Sequence, residues 1–475
     1  MTLKDAGFTN ATVYEANQAV GGRTWTNSTF WSPGQWSEWG GELIDTGHKT
    51  VFALCQRFGF SLYDMTRNNP VGADDILWFD EGYYPWLQMA QDWQNSGAAK
   101  VINQMMQTMP AWPFPYTAVW SADAKAIDDM TIAEWIDRYI PGGRQSRLGS
   151  FIDVAYTIEL GDETSRQGAA GLLGLLGFSS GNGPSSFWIY GKSDERYKIQ
   201  GGNQQIALAQ ADYVGSSNIL LGWKMTALQR NTDGSATVTF TAGGKTEKVT
   251  ADHVILAVPL GVLKRIKAAG GFAGAGFDSR KLGLIDALGM GANNKLQLEI
   301  ADRFWIGSGP WPGASNGESY ADTGYQEAWH VTNGQPGAKG IIVNYTGGDV
   351  ARLLASTPKP FADTSDASAP VRKFLNNAAR TFLAQIEPVF PGMTARWTGK
   401  ATLSVWSQSP TQYGSYTYWP PSYVRNYCTY ERVPMGPMGP VHFAGEHCSQ
   451  DAQGYIEGGA AEGIRAGNEI AALYK

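Results

Sequence analysis

The spacing of apolar and polar residues changes period several times along this chain. Near the start, Leu3, Ala6 and Phe8 are apolar around Gly7, which ends a short helix. Ala11-Thr-Val-Tyr14 then alternates with β-prone residues, and Glu15 closes that strand. Glycine turns follow at Gly21-Gly22-Arg23 and Gly40-Gly41-Glu42. From about Thr46 the period is helical. Val51, Leu54, Cys55 and Phe58 recur at i, i+3, i+4 and i+7, and Gly59 serves as the C-cap. Residues 85–190 read mostly as helix. Within them Thr131-Ile-Ala-Glu134 forms a capping box, and Pro141 stops the helix after Ile140. Residues 217–258 read as consecutive strands with hairpin turns at Asn231-Thr-Asp-Gly234 and Ala242-Gly-Gly-Lys245. His253 to Val258 is a buried strand ended by Pro259. Lys295 to Ile300 alternates as a strand and leads into Phe304-Trp305. A helix is predicted over Ala369 to Ile386, a strand over Val441 to Ala444, and a last helix from Ile456 to the end.

No repeat of fixed period runs through these blocks, which argues against solenoids and propellers. Their order predicts an α/β fold, α+β overall. A Rossmann-like parallel domain is interrupted by a mixed β-sheet and a helical region. Composition narrows the class. With 18 Trp, 21 Tyr and 19 Phe in 475 residues, the chain lacks the signature of disorder. A net charge of −6 argues against nucleic acid as partner. Cys55, Cys428 and Cys448 are too few and scattered for a disulfide scaffold. The longest apolar run, Gly168 to Phe178, is shorter than the ~20 residues a membrane span needs. The opening residues carry no signal-peptide core. A soluble enzyme is expected, cytoplasmic by default, with export left open.

Four segments carry candidate chemistry. In dinucleotide-binding βαβ units an acidic residue ends the second strand and holds ribose hydroxyls, the place Glu15 occupies. Its companion glycine loop belongs about 20 residues upstream, before Met1. By that spacing the chain is expected to lack some ~15–30 residues at its front, with the first strand and phosphate loop. Gly21-Gly22-Arg23 is either a plain turn with a solvated Arg or a tight turn presenting a planar cation to phosphate. Tyr197-Lys-Ile-Gln-Gly-Gly202 is a common loop-to-helix pattern. Phe443-Ala-Gly-Glu-His447 with Gly454-Tyr-Ile-Glu-Gly458 offers free N–H groups at a helix start, or simply close helix–strand packing. The five histidines show no metal-ligand spacing, so no metal is expected, and no nucleophile elbow occurs.

In this order the four segments resemble the flavin-containing amine oxidases, which include monoamine, polyamine and L-amino-acid oxidases. The likeness spans nearly the whole chain. Val13-Tyr14-Glu15 with Gly21-Gly22-Arg23 is similar to the family's first signature, and Gly40-Gly41-Glu42 to its flavin-face turn. Ile255 to Pro259 and the Phe443–Gly458 region match its later ones. The resemblance implies an FAD-binding domain over 1–50, 190–265 and 396–475. It implies a substrate domain over 51–84 and 266–395, with 85–189 as its helical part. It implies FAD-binding roles for Glu15, Gly22, Arg23, Gly40, Gly41, Glu42, Met225, Gly445, Glu446 and Ile456. Lys295, ten residues before Trp305, would reach the reactive flavin nitrogen through a water. Tyr455 would form one wall of an aromatic cage, with Tyr416 or Trp406 as the other. No Cys stands near Gly414-Ser415, so the FAD is expected to be non-covalent.

The implied reaction oxidises a C–N bond to an imine, with O2 reduced to hydrogen peroxide. FAD does the redox work while the protein orients and desolvates. An L-amino-acid substrate is favoured, with a monoamine or polyamine as the alternative. Leu43 stands where an Arg would hold a substrate carboxylate in the snake-venom type. Assembly as a homodimer is compatible with this reading. Two rivals are a flavin-poor or inactive homologue and a flavin enzyme acting on C–C bonds, such as a desaturase.

Overall fold

The computed structural model describes residues 1–179, 189, 191, 193–435 and 439–474. A nine-stranded mixed sheet forms its centre. Its order runs Phe361–Asp363, Trp397–Val405, Asn294–Ile300, Gly340–Thr346, Gln326–His330, Ala314–Ala321, Ala73–Phe79 and Gly82–Tyr83, with Gly307–Ser308 paired beside Ala314–Ala321. Strand alternation gives the sheet two different faces. Leu296, Leu298 and Ile300 point to one side. There they bury against Val371, Leu375, Phe382 and Ile386 of the helix Ala369–Ile386. Lys295, Gln297 and Glu299 point to the other side, toward the N-terminal segment. Gln297 Nε2 donates to Glu38 O at 2.7 Å, and Ser32 Oγ donates to Glu299 at 2.7 Å.

One register row on that second face matters most. Ser404, Lys295, Tyr345, Glu327 and Tyr320 lie directly opposite one another across five neighbouring strands. Directly paired residues share a face, so this row carries a cation, a carboxylate and two phenols side by side.

The helical region covers the far end of the sheet. Its helices run Trp86–Ser96, Ala98–Thr108, Ala122–Asp129, Ile132–Tyr139, Arg147–Leu160 and Ala169–Leu173. They meet around the fully buried Trp93, Trp135, Phe151 and Tyr156. The Thr131/Glu134 capping box forms as the sequence implies. Glu134 N–H donates to Thr131 Oγ1 at 3.0 Å, and Thr131 N–H donates to Glu134 Oε2 at 2.8 Å. Residues 180–188 and 190, the end of the stretch expected to be helical, lie outside the described residues.

Two parallel strand pairs stand apart from the mixed sheet. Val13–Glu15 pairs with Ile219–Leu221, and Val254–Leu256 pairs with Val441–Phe443. The pairs are separate two-stranded sheets. A meander of Trp223–Arg230, Ala236–Ala242 and Lys245–Ala251 adjoins them, with both predicted hairpins in place. Gly243 and Gly244 both have positive φ, 53° and 77°, as the tighter turn requires.

Several boundaries differ from expectation; the strands expected over Ala11–Glu15 and Val441–Ala444 are Val13–Glu15 and Val441–Phe443. The second helix begins at Lys49, not Thr46. Thr46 is diverted because its N–H and hydroxyl donate to Asp194 at 2.8 and 2.5 Å. The strand expected over His253 to Val258 is only Val254–Leu256, because Pro259 already serves as N-cap of the helix Leu260–Ala268. The last helix ends at Ala472. Among the described residues, no helix is long and apolar enough to cross a membrane.

Candidate active site

A cavity of about 1420 Å³ runs from the parallel strands to the mixed sheet. Pockets for single drug-sized ligands hold about 300–1,000 Å³, so this one has room for a dinucleotide and a small substrate together. Glu15 marks one end. Its carboxylate accepts from Asn17 N–H at 2.8 Å and Nδ2 at 2.9 Å. Met225, on the first strand of the meander, lines the same end.

The middle of the cavity is a close-packed glycine crossing. A Cβ on Gly40 would lie 1.8 Å from Arg23 O and 3.0 Å from the Trp406 ring. One on Gly41 would lie 2.8 Å from the Ile456 side chain. The two glycine turns and the start of the last helix are thus pressed together, and backbone faces the cavity. Gly22 and Gly445 have φ of 56° and 117°, conformations that favour glycine. Arg23 spans the crossing. Its Nη1 donates to Ser415 O at 2.5 Å and to Glu446 Oε1 at 3.0 Å. Glu446 also accepts from Thr417 Oγ1 at 2.8 Å and Gly454 N–H at 3.1 Å. Burial pushes its carboxyl up, but Arg23 and these donors outweigh that and hold it below the usual range.

Lys295 stands beyond the crossing. Its Nζ donates to Gly40 O at 3.0 Å and to Glu42 Oε2 at 2.5 Å, and lies 5.1 Å from the Trp329 ring centre. Glu42 is shared, since Lys198 Nζ donates to its other oxygen. Burial pushes the Glu42 carboxyl up, but the two ammoniums prevail and hold it at about 2.

The sheet end is aromatic and acidic. Tyr455 is the N-cap of the last helix, its hydroxyl 3.5 Å from Glu159 Oε1. Tyr416 lies against Gly454, 3.6 Å from where a Cβ would be, and shares a 2.9 Å hydrogen bond with Tyr345. Trp406 faces the cavity from below Gly40, with its indole N–H donating to Trp39 O at 2.7 Å and its ring 4.7 Å from Phe361. Three carboxylates join the wall: Glu159, Glu195 and Glu327. Burial pushes Glu159 up to about 8, and Asp45 adds to this. Burial raises Glu195 and Glu327 as well, and neighbouring carboxylates reinforce it. Glu159 and Glu195 keep partial accessibility because they face the cavity.

All fourteen residues singled out in the sequence line this one cavity. Sequence reading missed Lys198, Glu159, Glu195, Glu327, Trp329 and Tyr345. The alternation of Gln326-Glu-Ala-Trp-His330 was an available signal, since it sets Glu327 and Trp329 on one face. Lys198 lay inside a segment already noted. Nothing local marks Glu159, whose place depends on how its helix docks. Among the described residues, no group of side chains could hold a metal ion.

Comparison with known proteins agrees with this geometry. The family model for flavin-containing amine oxidoreductases matches residues 1–471. The chain belongs to that family. It is a flavoprotein oxidoreductase acting on amines, with FAD as cofactor, and the glycine crossing, Glu15 and Arg23 fit that group. A flavin-containing amine oxidase of Danio rerio is 23% identical, covering 98% of this chain and 82% of the relative. A nicotine dehydrogenase of Pseudomonas putida (strain DSM 28022 / S16) is 22% identical, covering 97% and 83%. The cyclohexylamine oxidase of Brevibacterium oxydans IH-35A superposes with a TM-score of 0.77 at 22% identity, over 100% of this chain and 95% of that one. A putrescine oxidase with putrescine bound gives 0.75 at 19% identity, over 99% and 95%.

Proposed function

We propose that this enzyme oxidises a primary amine carrying a second cationic group, with O2 as electron acceptor, rather than an L-amino acid. The observation that carries the reading is the acidic wall of Glu159, Glu195 and Glu327 at the aromatic end of the cavity. An amino-acid substrate needs a cation for its carboxylate. Arg23 and Lys295, the cations nearest this end, are paired with Glu446 and Glu42. Lys4 donates to Tyr213 O, and Lys224 sits beside Met225 at the nucleotide end. Three carboxylates that resist ionisation together would instead gain from an ammonium among them. Glu327 stands two strand spacings from Lys295, roughly 10 Å, which suits a methylene chain of a few carbons. The putrescine-bound structural relative is in keeping with this reading.

The bound flavin supplies the hydride acceptor. Tyr455 and Tyr416 flank the reacting amine, and Trp406 supports the glycine crossing instead of forming the cage. Lys295, anchored on Gly40 O, would hold a water toward the bound flavin. The acids hold the distal ammonium, so the other nitrogen can arrive neutral without a dedicated base.

Oxygen uptake and peroxide release over a panel tests this. Diamines of four to six carbons are expected to exceed n-alkylamines of equal length at least tenfold in kcat/KM. L-amino acids are expected to give no turnover. An L-amino acid as the best substrate sinks the reading.

A further inference from the structure

Lys198 is a lysine with only 2% of its surface exposed. It lies on the short strand Tyr197–Ile199, antiparallel to Leu62–Asp64, behind the cavity wall. Its Nζ donates to Glu42 and, at 3.2 Å, to Val331 O. Glu42 gives its second oxygen to Lys295 at 2.5 Å, and Trp329 Nε1 donates to the first at 3.3 Å. One carboxylate therefore serves two ammoniums, a cluster with a surplus of one positive charge. Glu38 lies nearby, but its two oxygens accept from Thr26 Oγ1 and Asn203 N–H, both at 2.8 Å, rather than from a lysine, and burial pushes its carboxyl up. Burying a third charge carries a desolvation cost that a neutral Glu42–Lys295 pair alone would avoid. The extra lysine makes the wall around Lys295 cationic.

We infer that Lys198 is a positioning residue for the flavin reaction: it holds one oxygen of Glu42 so that the other anchors Lys295, and it leaves a net positive charge that favours the anionic, reduced flavin. Charge near the flavin ring is one of the means by which a protein tunes that cofactor. The surplus would be lost with Lys198 alone. It would not be lost with Glu42, whose removal subtracts a negative charge.

Sulfite provides a readout apart from turnover, because its addition to oxidised flavin puts a negative charge on the ring. The FAD-saturated protein is titrated with sulfite and the loss of visible absorbance gives Kd. Lys198→Met is expected to raise that Kd at least tenfold and to lower the flavin midpoint potential. Lys198→Arg, which keeps the charge, is expected to stay within threefold. Glu42→Gln is expected to bind sulfite as tightly as the native protein or more so. A purely structural role would weaken stability in Lys198→Met and Glu42→Gln alike, without this opposition of sign. Native-like sulfite affinity in Lys198→Met overturns the inference. Should that variant fail to hold FAD, weakened sulfite binding in Glu42→Gln overturns it equally.

Discussion

At the scale of single residues, the site is set by close approach as much as by charge. Gly40 and Gly41 differ in what an added methyl would strike. At Gly40 it would meet backbone, Arg23 O at 1.8 Å, which cannot rotate away. At Gly41 it would meet the Ile456 side chain at 2.8 Å, which can shift partly. Gly40→Ala is therefore expected to abolish FAD binding, and Gly41→Ala to weaken it about tenfold or more. Fluorescence titration with FAD checks the order, and equal effects would refute it. Glu327 has a different kind of signature. If it holds a distal ammonium, Glu327→Gln lowers kcat/KM for a diamine about tenfold, or ~1.4 kcal/mol, and leaves a monoamine of equal length nearly unchanged. An equal loss for both would show that Glu327 shapes the cavity without reading charge.

At the scale of elements, the last helix fixes more than its own turn of the site. Glu457, in its first turn, accepts from Thr50 N–H at 2.9 Å and Val51 N–H at 2.8 Å. It thus supplies partners to the otherwise unpaired first turn of the helix Lys49–Phe58. Hydrogen bonds to a charged group contribute about 1.5–3 kcal/mol each way of counting. Glu457→Ala is expected to lower unfolding free energy by ~2 kcal/mol in urea, with FAD affinity falling alongside, because Tyr455 and Ile456 lose their anchor. Unchanged stability would show that water replaces the carboxylate. Such cross-helix capping is invisible in sequence, since Glu457 and Thr50 are 407 positions apart. What sequence does show is local. The Thr131 capping box, the glycine hairpins and the 3.6-residue period at Val51–Phe58 each stand on neighbouring residues, and each forms. The fold class was legible, and the fourteen candidate residues fall together on one cavity, because they sit in short segments whose order resembles a known family. The strands Ala314–Ala321, Gln326–His330 and Gly340–Thr346 were not read as strands, and with them went Glu327, Trp329 and Tyr345. These strands are buried on both faces, so polar and apolar residues mix along them and no single face declares itself; only Glu327, Trp329 and Tyr345 reach the cavity.

At the scale of the whole molecule, the cavity makes stability depend on pH and on the substrate. Glu159 is pushed up to about 8 by burial and Asp45, while Glu195 and Glu327 are raised by burial and by neighbouring carboxylates. Each has a folded value above that of an unfolded carboxyl, about 4.3. Their contribution is therefore fully present in acid below that value. It is lost as pH rises through the folded values, which for Glu159 means up to about 8. Glu42, held at about 2, acts oppositely, but its contribution is lost only in strong acid. His447, lowered to about 4 by burial, likewise matters only below its unfolded value of about 6.5. Between about pH 7 and 8 the carboxylates thus set the slope, because the buried Lys281, lowered to about 8, opposes them only above that, and the melting temperature of the amine-free holoenzyme is expected to fall over that window. A bound diamine supplies the missing cation, so under anaerobic conditions a saturating diamine flattens that fall. Glu159→Gln flattens it without any amine, since the amide does not ionise. Thermal scans of the native protein and this variant, with and without diamine, measure all three slopes. A fall of equal steepness in every case would mean that the acidic wall does not sense charge, and the diamine reading would lose its support.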